Sequence, residues 1–86
     1  MTAAGALEAV ERILNRGGEA EEVLRSVLDA LHARGVPYAA IRFEGTDLDV
    51  GHLGAARTRS SGPVTIAVDD ETFVERVATL IRPYLR

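Results

Sequence analysis

Apolar residues recur every three or four positions in three stretches of the chain, and this spacing predicts three amphipathic helices. The first covers residues 3–16 and ends at two consecutive glycines, and the second covers residues 19–34 and begins with an acidic first turn. Acidic side chains near a helix N-terminus interact favourably with the helix dipole. The third helix begins after Asp69 or Asp70, either of which can cap it, and Pro83 should bend or fray its end.

Three other stretches show the alternation of apolar and polar residues that is typical of β-strands. They cover residues 38–44, 48–53 and 63–69, and a polar loop of residues 54–62 separates the second from the third. A layer of helices on one side of an antiparallel sheet would bury all the apolar faces together. The element order ααββ-loop-βα therefore predicts a single α+β domain over residues 1–86, with a three-stranded antiparallel sheet and the helices packed on one face.

The apolar residues of the first two predicted strands favour one hairpin register. A turn over residues 44–47 places Phe43 opposite Leu48, and it sets Arg42 beside Asp49 on the solvent side. A slip by a single residue would send the apolar side chains to the wrong face of the sheet.

Composition narrows the range of functions. The chain has 86 residues with a net charge of −3, no cysteine and no lysine. Its arginines are interleaved with acids, so no basic block favours nucleic acid. Without cysteine, disulfides, thiolate chemistry and iron–sulfur clusters are excluded. No signal-peptide pattern or membrane-length apolar run is visible, so we expect a cytoplasmic protein with no membrane contact.

No group of residues has the spacing of a known reaction centre. His32 and His52 are the two histidines, and neither belongs to a His-x-x-x-His or Glu-x-x-His pattern of the kind that binds metals. Ser60-Ser61-Gly62 lacks the accompanying base that a serine nucleophile needs. The carboxylates at the hairpin turn, Glu44, Asp47 and Asp49, do not have the number and spacing of ligands in a calcium loop. We therefore expect no enzymatic activity, no metal and no cofactor.

Two segments carry a family resemblance. An amphipathic helix leads into the strand Tyr38-Ala-Ala-Ile-Arg-Phe with a hairpin partner directly after it, and residues 64–81 follow as a strand and a closing helix that starts Asp-Asp-Glu-Thr-Phe-Val. With this order, most of residues 19–85 resembles the GAF domain family. The resemblance implies the strand order second, first, last. GAF domains usually have five or six strands and helices over a ligand pocket, whereas only residues 54–62 occupy that region here.

The resemblance implies a regulatory module, and two of the family's activities can be excluded. Free methionine sulfoxide reduction and covalent bilin attachment both need a cysteine, which this chain lacks. We expect a non-enzymatic interaction module that acts through self-association or protein binding. The alternative is a small-ligand sensor that uses the outer sheet face and the loop, with these candidate ligand-binding residues: Tyr38, Arg42, Asp49, Arg57 and Arg59. A loop folded over the sheet would favour the sensor, and a flat loop would favour the interaction module.

The first and last helices carry more apolar residues than one sheet face can use, and such a surplus is normally an association surface. A homodimer is therefore expected, with residues 1–18 as a possible dimerisation arm on the glycine hinge. The candidate interface residues are Leu7, Val10, Leu14, Val74, Ile81 and Leu85. Edge pairing through the third predicted strand is the rival mode, and a monomer fully wrapped by its own helices is the remaining alternative.

Overall fold

Two helices, four strands and a third helix follow one another along the chain in an α+β arrangement. A computed structural model describes residues 2–85. Its elements are, in chain order, α1 (Ala3–Arg16), α2 (Ala20–Ala33), β1 (Tyr38–Phe43), β2 (Thr46–Gly51), β3 (Arg59–Ser61), β4 (Val64–Ile66), α3 (Glu71–Ile81) and a 3-10 turn (Arg82–Tyr84).

The helix ends follow the local signals in the sequence. The backbone N–H of Gly17 donates to the carbonyls of Ile13 and Leu14, at 3.3 and 3.2 Å, and ends α1. At the start of α3 the carboxylate of Asp70 accepts a hydrogen bond of 3.1 Å from the backbone N–H of Phe73. Asp70 is therefore the cap. Pro83 lies in the 3-10 turn, where the helix has already tightened.

The described residues form a four-stranded antiparallel sheet in the order β2-β1-β4-β3. The expectation of three strands is wrong, because β3 forms within the stretch predicted as a loop, residues 54–62. Gly62 and Pro63 make a two-residue turn that returns the chain directly from β3 into β4. β4 consequently pairs on both sides, so the rival dimer mode through this strand has no free edge to use.

The β1–β2 hairpin is shifted by two residues from the predicted register. Arg42 pairs with Asp47 and not with Asp49 as predicted, and Leu48 lies opposite Ile41. The turn is shorter than predicted because it contains only Glu44 and Gly45, whose φ angles are 51° and 79°. Positive φ at both central residues is what a type I′ hairpin turn requires. A shift by two leaves every side chain on its predicted face.

The core lies between the helix-facing side of the sheet and the helices. α2 packs on β1 and β2, α3 packs on β3 and β4, and α1 contacts both helices. All buried residues among those described are hydrophobic. The largest fully buried side chains are Phe73, Leu24, Leu28, Leu31, Ile41, Ile66 and Ile81.

α1 is part of this core and does not extend as a free arm. Its Ala6 and Val10 are fully buried, and the hydroxyl of Tyr84 donates a 3.1 Å hydrogen bond to the carbonyl of Leu14. The 3-10 turn at the C-terminal end therefore holds the C-terminal end of α1.

Candidate interaction surface

One side of the sheet has no helix over it, and we call this side the outer face. Side chains alternate between the two faces of a strand, and Ile41 and Ile66 are fully buried on the helix side. The alternate positions therefore belong to the outer face. Its side chains are Tyr38, Ala40, Arg42, Asp47, Asp49, Ser60 and Thr65.

Small side chains occupy the middle of the outer face. Ala40 and Thr65 pair across the two central strands, and the hydroxyls of Thr65 and Ser60 lie 2.9 Å apart. Beside them is a depression of about 230 Å³, lined by Tyr38, Ala40, Arg42, Asp47, Gly62, Pro63 and Thr65. Pockets that enclose small ligands typically measure roughly 300–1,000 Å³, so this depression is smaller than a typical ligand pocket.

An ion pair lies at the rim of the depression. The Nε of Arg42 is 3.3 Å from Oδ1 of Asp47, and the two side chains are 64% and 57% exposed. A pair this exposed contributes at most about 1 kcal/mol to stability because water screens it. Both charges are available to a partner.

The structure brings only part of the predicted ligand-binding set together. Tyr38 and Arg42 line the depression, whereas Asp49 lies on the same face without lining it. Arg59 pairs with the buried Ile66, which places it on the helix-facing side, and Arg57 precedes β3 in an exposed stretch.

Sequence reasoning missed Asp47 as the partner of Arg42. The signal was present in the dipeptide Glu44-Gly45, since a glycine at the second position of a two-residue loop indicates a tight hairpin. With that turn assigned, Asp47 falls opposite Arg42.

The stretch between β2 and β4 does not cover the outer face. Residues 52–58 are exposed, and residues 59–61 continue the sheet as its edge strand β3. Of residues 54–62, the depression is lined by Gly62 alone.

The helical dimer candidates divide into two groups. Val10, Val74 and Ile81 are fully buried within the chain itself. Leu7, Leu14 and Leu85 are partly buried and pack against the same core. These six residues therefore do not form a continuous exposed stripe that a second copy could contact.

Each of the two histidines makes a hydrogen bond to a backbone carbonyl. Nδ1 of His32 donates to the carbonyl of Val36, at 2.9 Å, beyond the end of α2. The backbone N–H of His52 donates to the carbonyl of Pro37, at 3.0 Å. Within residues 2–85, no three His, Asp or Glu side chains are grouped as a metal site would need.

Comparison with known proteins gave no relative. No protein-family model matches the chain, and neither a curated protein nor a solved structure matches it. In the part of the chain that the structure describes, none of the helices combines the length and the apolar character needed to cross a bilayer.

Proposed function

We propose that this chain is a non-enzymatic interaction module that associates through its outer face, with a second copy of itself as the partner. The observation that supports this is the position of β3. Because residues 59–61 extend the sheet instead of folding over it, four strands present one uncovered side.

The outer face has two features of a protein interface, a tyrosine next to its centre and a polar rim. Protein interfaces have a well-packed centre, often with tyrosine, and a polar rim. Here the small side chains of Ala40 and Thr65 lie at the centre of the face beside Tyr38, and the Arg42–Asp47 pair lies at the rim. Two sheets pack face to face at about 10 Å, and small side chains at the centre allow that approach.

Two further arguments support association through the sheet. A chain of 86 residues buries a small core, so burial of extra surface contributes a large fraction of its stability. The helical side offers less apolar surface to a partner, since Val10, Val74 and Ile81 are already buried. The regulatory role and the GAF-like arrangement that the resemblance implies remain part of the proposal.

Oligomeric state tests the proposal with one matched pair of variants. The wild-type chain should run at about twice its 9.2 kDa mass in size-exclusion chromatography with light scattering. Thr65→Arg places a cation at the centre of the outer face and should give a monomer. Thr79→Arg makes the same change on the exposed side of α3 and should leave the dimer intact.

A monomeric wild type at high micromolar concentration would contradict this proposal. So would loss of the dimer in Thr79→Arg but not in Thr65→Arg, because that result would place the contact on the helices.

The depression on the outer face favours a second candidate function, that of a small-ligand sensor. Tyr38, Arg42 and Asp47 bring three polar groups to one concave spot. Native mass spectrometry of the purified chain tests this candidate. A small molecule bound to monomeric wild type and lost in Tyr38→Ala would support the sensor over the dimer.

A further inference from the structure

The edge of the sheet formed by β2 is open. β2 is the first strand in the order β2-β1-β4-β3, so only its β1 side is paired within the described residues. The backbone N–H of Arg42 donates to the carbonyl of Pro63, at 2.9 Å. The backbone N–H and C=O groups of the even-numbered residues of β1 are therefore directed towards β4. The odd-numbered residues of β1 therefore bond to β2.

The same alternation decides which groups of β2 point outward. Thr46, Leu48 and Val50 lie opposite odd-numbered residues of β1 and bond to them. Asp47 and Asp49 consequently direct their backbone N–H and C=O groups away from the sheet. These groups are a template for another extended strand.

The side chains at this edge determine which strand it accepts. Asp47 and Asp49 are both exposed and both belong to the outer face. If β2 of a second copy paired here in the antiparallel sense, aspartates would lie opposite or diagonal to one another, and like charges across strands destabilise a sheet. Asp49 has no ion-pair partner among the described residues.

We propose that the β2 edge binds an extended segment of a partner protein by strand addition, and that this segment carries arginine or lysine at alternate positions. Main-chain hydrogen bonds to Asp47 and Asp49 hold the segment, and cations opposite the two carboxylates select it. This site goes beyond association through the outer face, since it uses the backbone of an edge strand and not the side chains of the central strands.

A proline substitution tests the backbone contact directly. Asp49→Pro removes an N–H that points outward and leaves the bonds to β1 in place, as proline is tolerated on the open side of an edge strand. Ser60→Pro is the matched control. Ser60 lies opposite Thr65, whose backbone groups are directed towards Ala40 of β1, so the N–H of Ser60 points outward at the opposite edge. Circular dichroism melts establish that both variants are folded.

The probe is a fluorescent ten-residue peptide of alternating arginine and valine, followed by anisotropy, with a glutamate–valine peptide as its counterpart. Wild type should bind the arginine peptide at least about tenfold more tightly than the glutamate peptide. Asp49→Pro should weaken binding by about tenfold, and Ser60→Pro should change it by less than about twofold.

Asp49→Asn separates strand addition from simple charge attraction, since it removes the carboxylate and keeps the N–H. We expect its affinity for the arginine peptide to fall between those of wild type and Asp49→Pro. Equal binding by Asn and Pro variants, equal binding of the two peptides, or no binding to wild type would each overturn the proposal. Asp47, Asp49 and Ser60 also lie on the outer face, so light scattering of each variant is needed to distinguish loss of peptide binding from a change in the dimer.

Discussion

Two backbone segments approach closely at Gly51, the last residue of β2, and this approach requires a glycine. Its φ is 81°, and a Cβ at this position would overlap the carbonyl oxygen of Pro37 and touch the ring of His32. A side chain cannot relieve an overlap with backbone by changing rotamer. The contact joins the end of the hairpin to the segment that follows α2, which is why the chain needs glycine here.

Gly51→Ala should therefore reduce the free energy of unfolding by more than about 2 kcal/mol. Gly45→Ala is the control, because Gly45 has a φ of 79° with nothing within 4 Å of a new Cβ. Only the left-handed backbone is penalised there, at about 1–2 kcal/mol. Urea denaturation of both variants measures the difference. A smaller loss for Gly51→Ala than for Gly45→Ala would show that the Pro37 approach is not as close as described.

Among the elements, the helices were predicted well because their signals are local. Apolar spacing marks all three helices, glycines follow α1 and α2, and acidic residues occupy the first turns of α2 and α3. The helices α1–α3 therefore fall close to their predicted bounds. β3 was missed because Arg59-Ser60-Ser61 has neither apolar alternation nor strong β-propensity. Its conformation comes from pairing with β4 and from packing against α3, neither of which is encoded in residues 59–61 themselves.

The candidate site was predictable to the same extent. Alternation assigned Tyr38 and Arg42 to the outer face correctly, because a register shift of two residues preserves faces. Which carboxylate meets Arg42 depends on loop length, and the four-residue turn assumed from the sequence put Asp49 in the place of Asp47.

The start of α3 allows a prediction about a single element. The sequence left Asp69 and Asp70 as alternative caps, and the structure shows Asp70 bonded to the N–H of Phe73. Asp70→Ala should lower the free energy of unfolding by about 1 kcal/mol, whereas Asp69→Ala should change it by less than about 0.5 kcal/mol. Thermal melts of the two variants compare them under identical conditions. Equal losses would contradict the assignment of the cap.

At the scale of the whole molecule, stability rests on one apolar core with α2 at its centre. Leu28 is 2% exposed and belongs to the same cluster as Ile41 and Ile66. No buried polar side chain among the described residues adds a hydrogen-bond network to this core. Among the side chains of this core, apolar packing therefore supplies the stabilisation.

Leu28→Ala should cost about 2–4 kcal/mol, since it removes the buried methyl groups and leaves a cavity. Small domains are stable by roughly 5–15 kcal/mol, so this is a large share of the total. Chemical denaturation followed by circular dichroism gives the value. Arg25→Ala on the exposed side of α2 is the control and should cost less than about 0.5 kcal/mol. An unchanged midpoint for Leu28→Ala would contradict the packing of α2 on the sheet.

The two tight turns have a consequence for the order in which the protein folds. β1 with β2 and β3 with β4 are each joined by two residues, so either hairpin can close on the microsecond timescale with little loop entropy to overcome. The β1–β4 pairing joins segments that are distant in the chain. We therefore expect the slow step of folding to be the docking of the two preformed hairpins along β1 and β4. Mutations at the β1–β4 pairing should slow refolding, measured by stopped-flow, more than mutations in either turn.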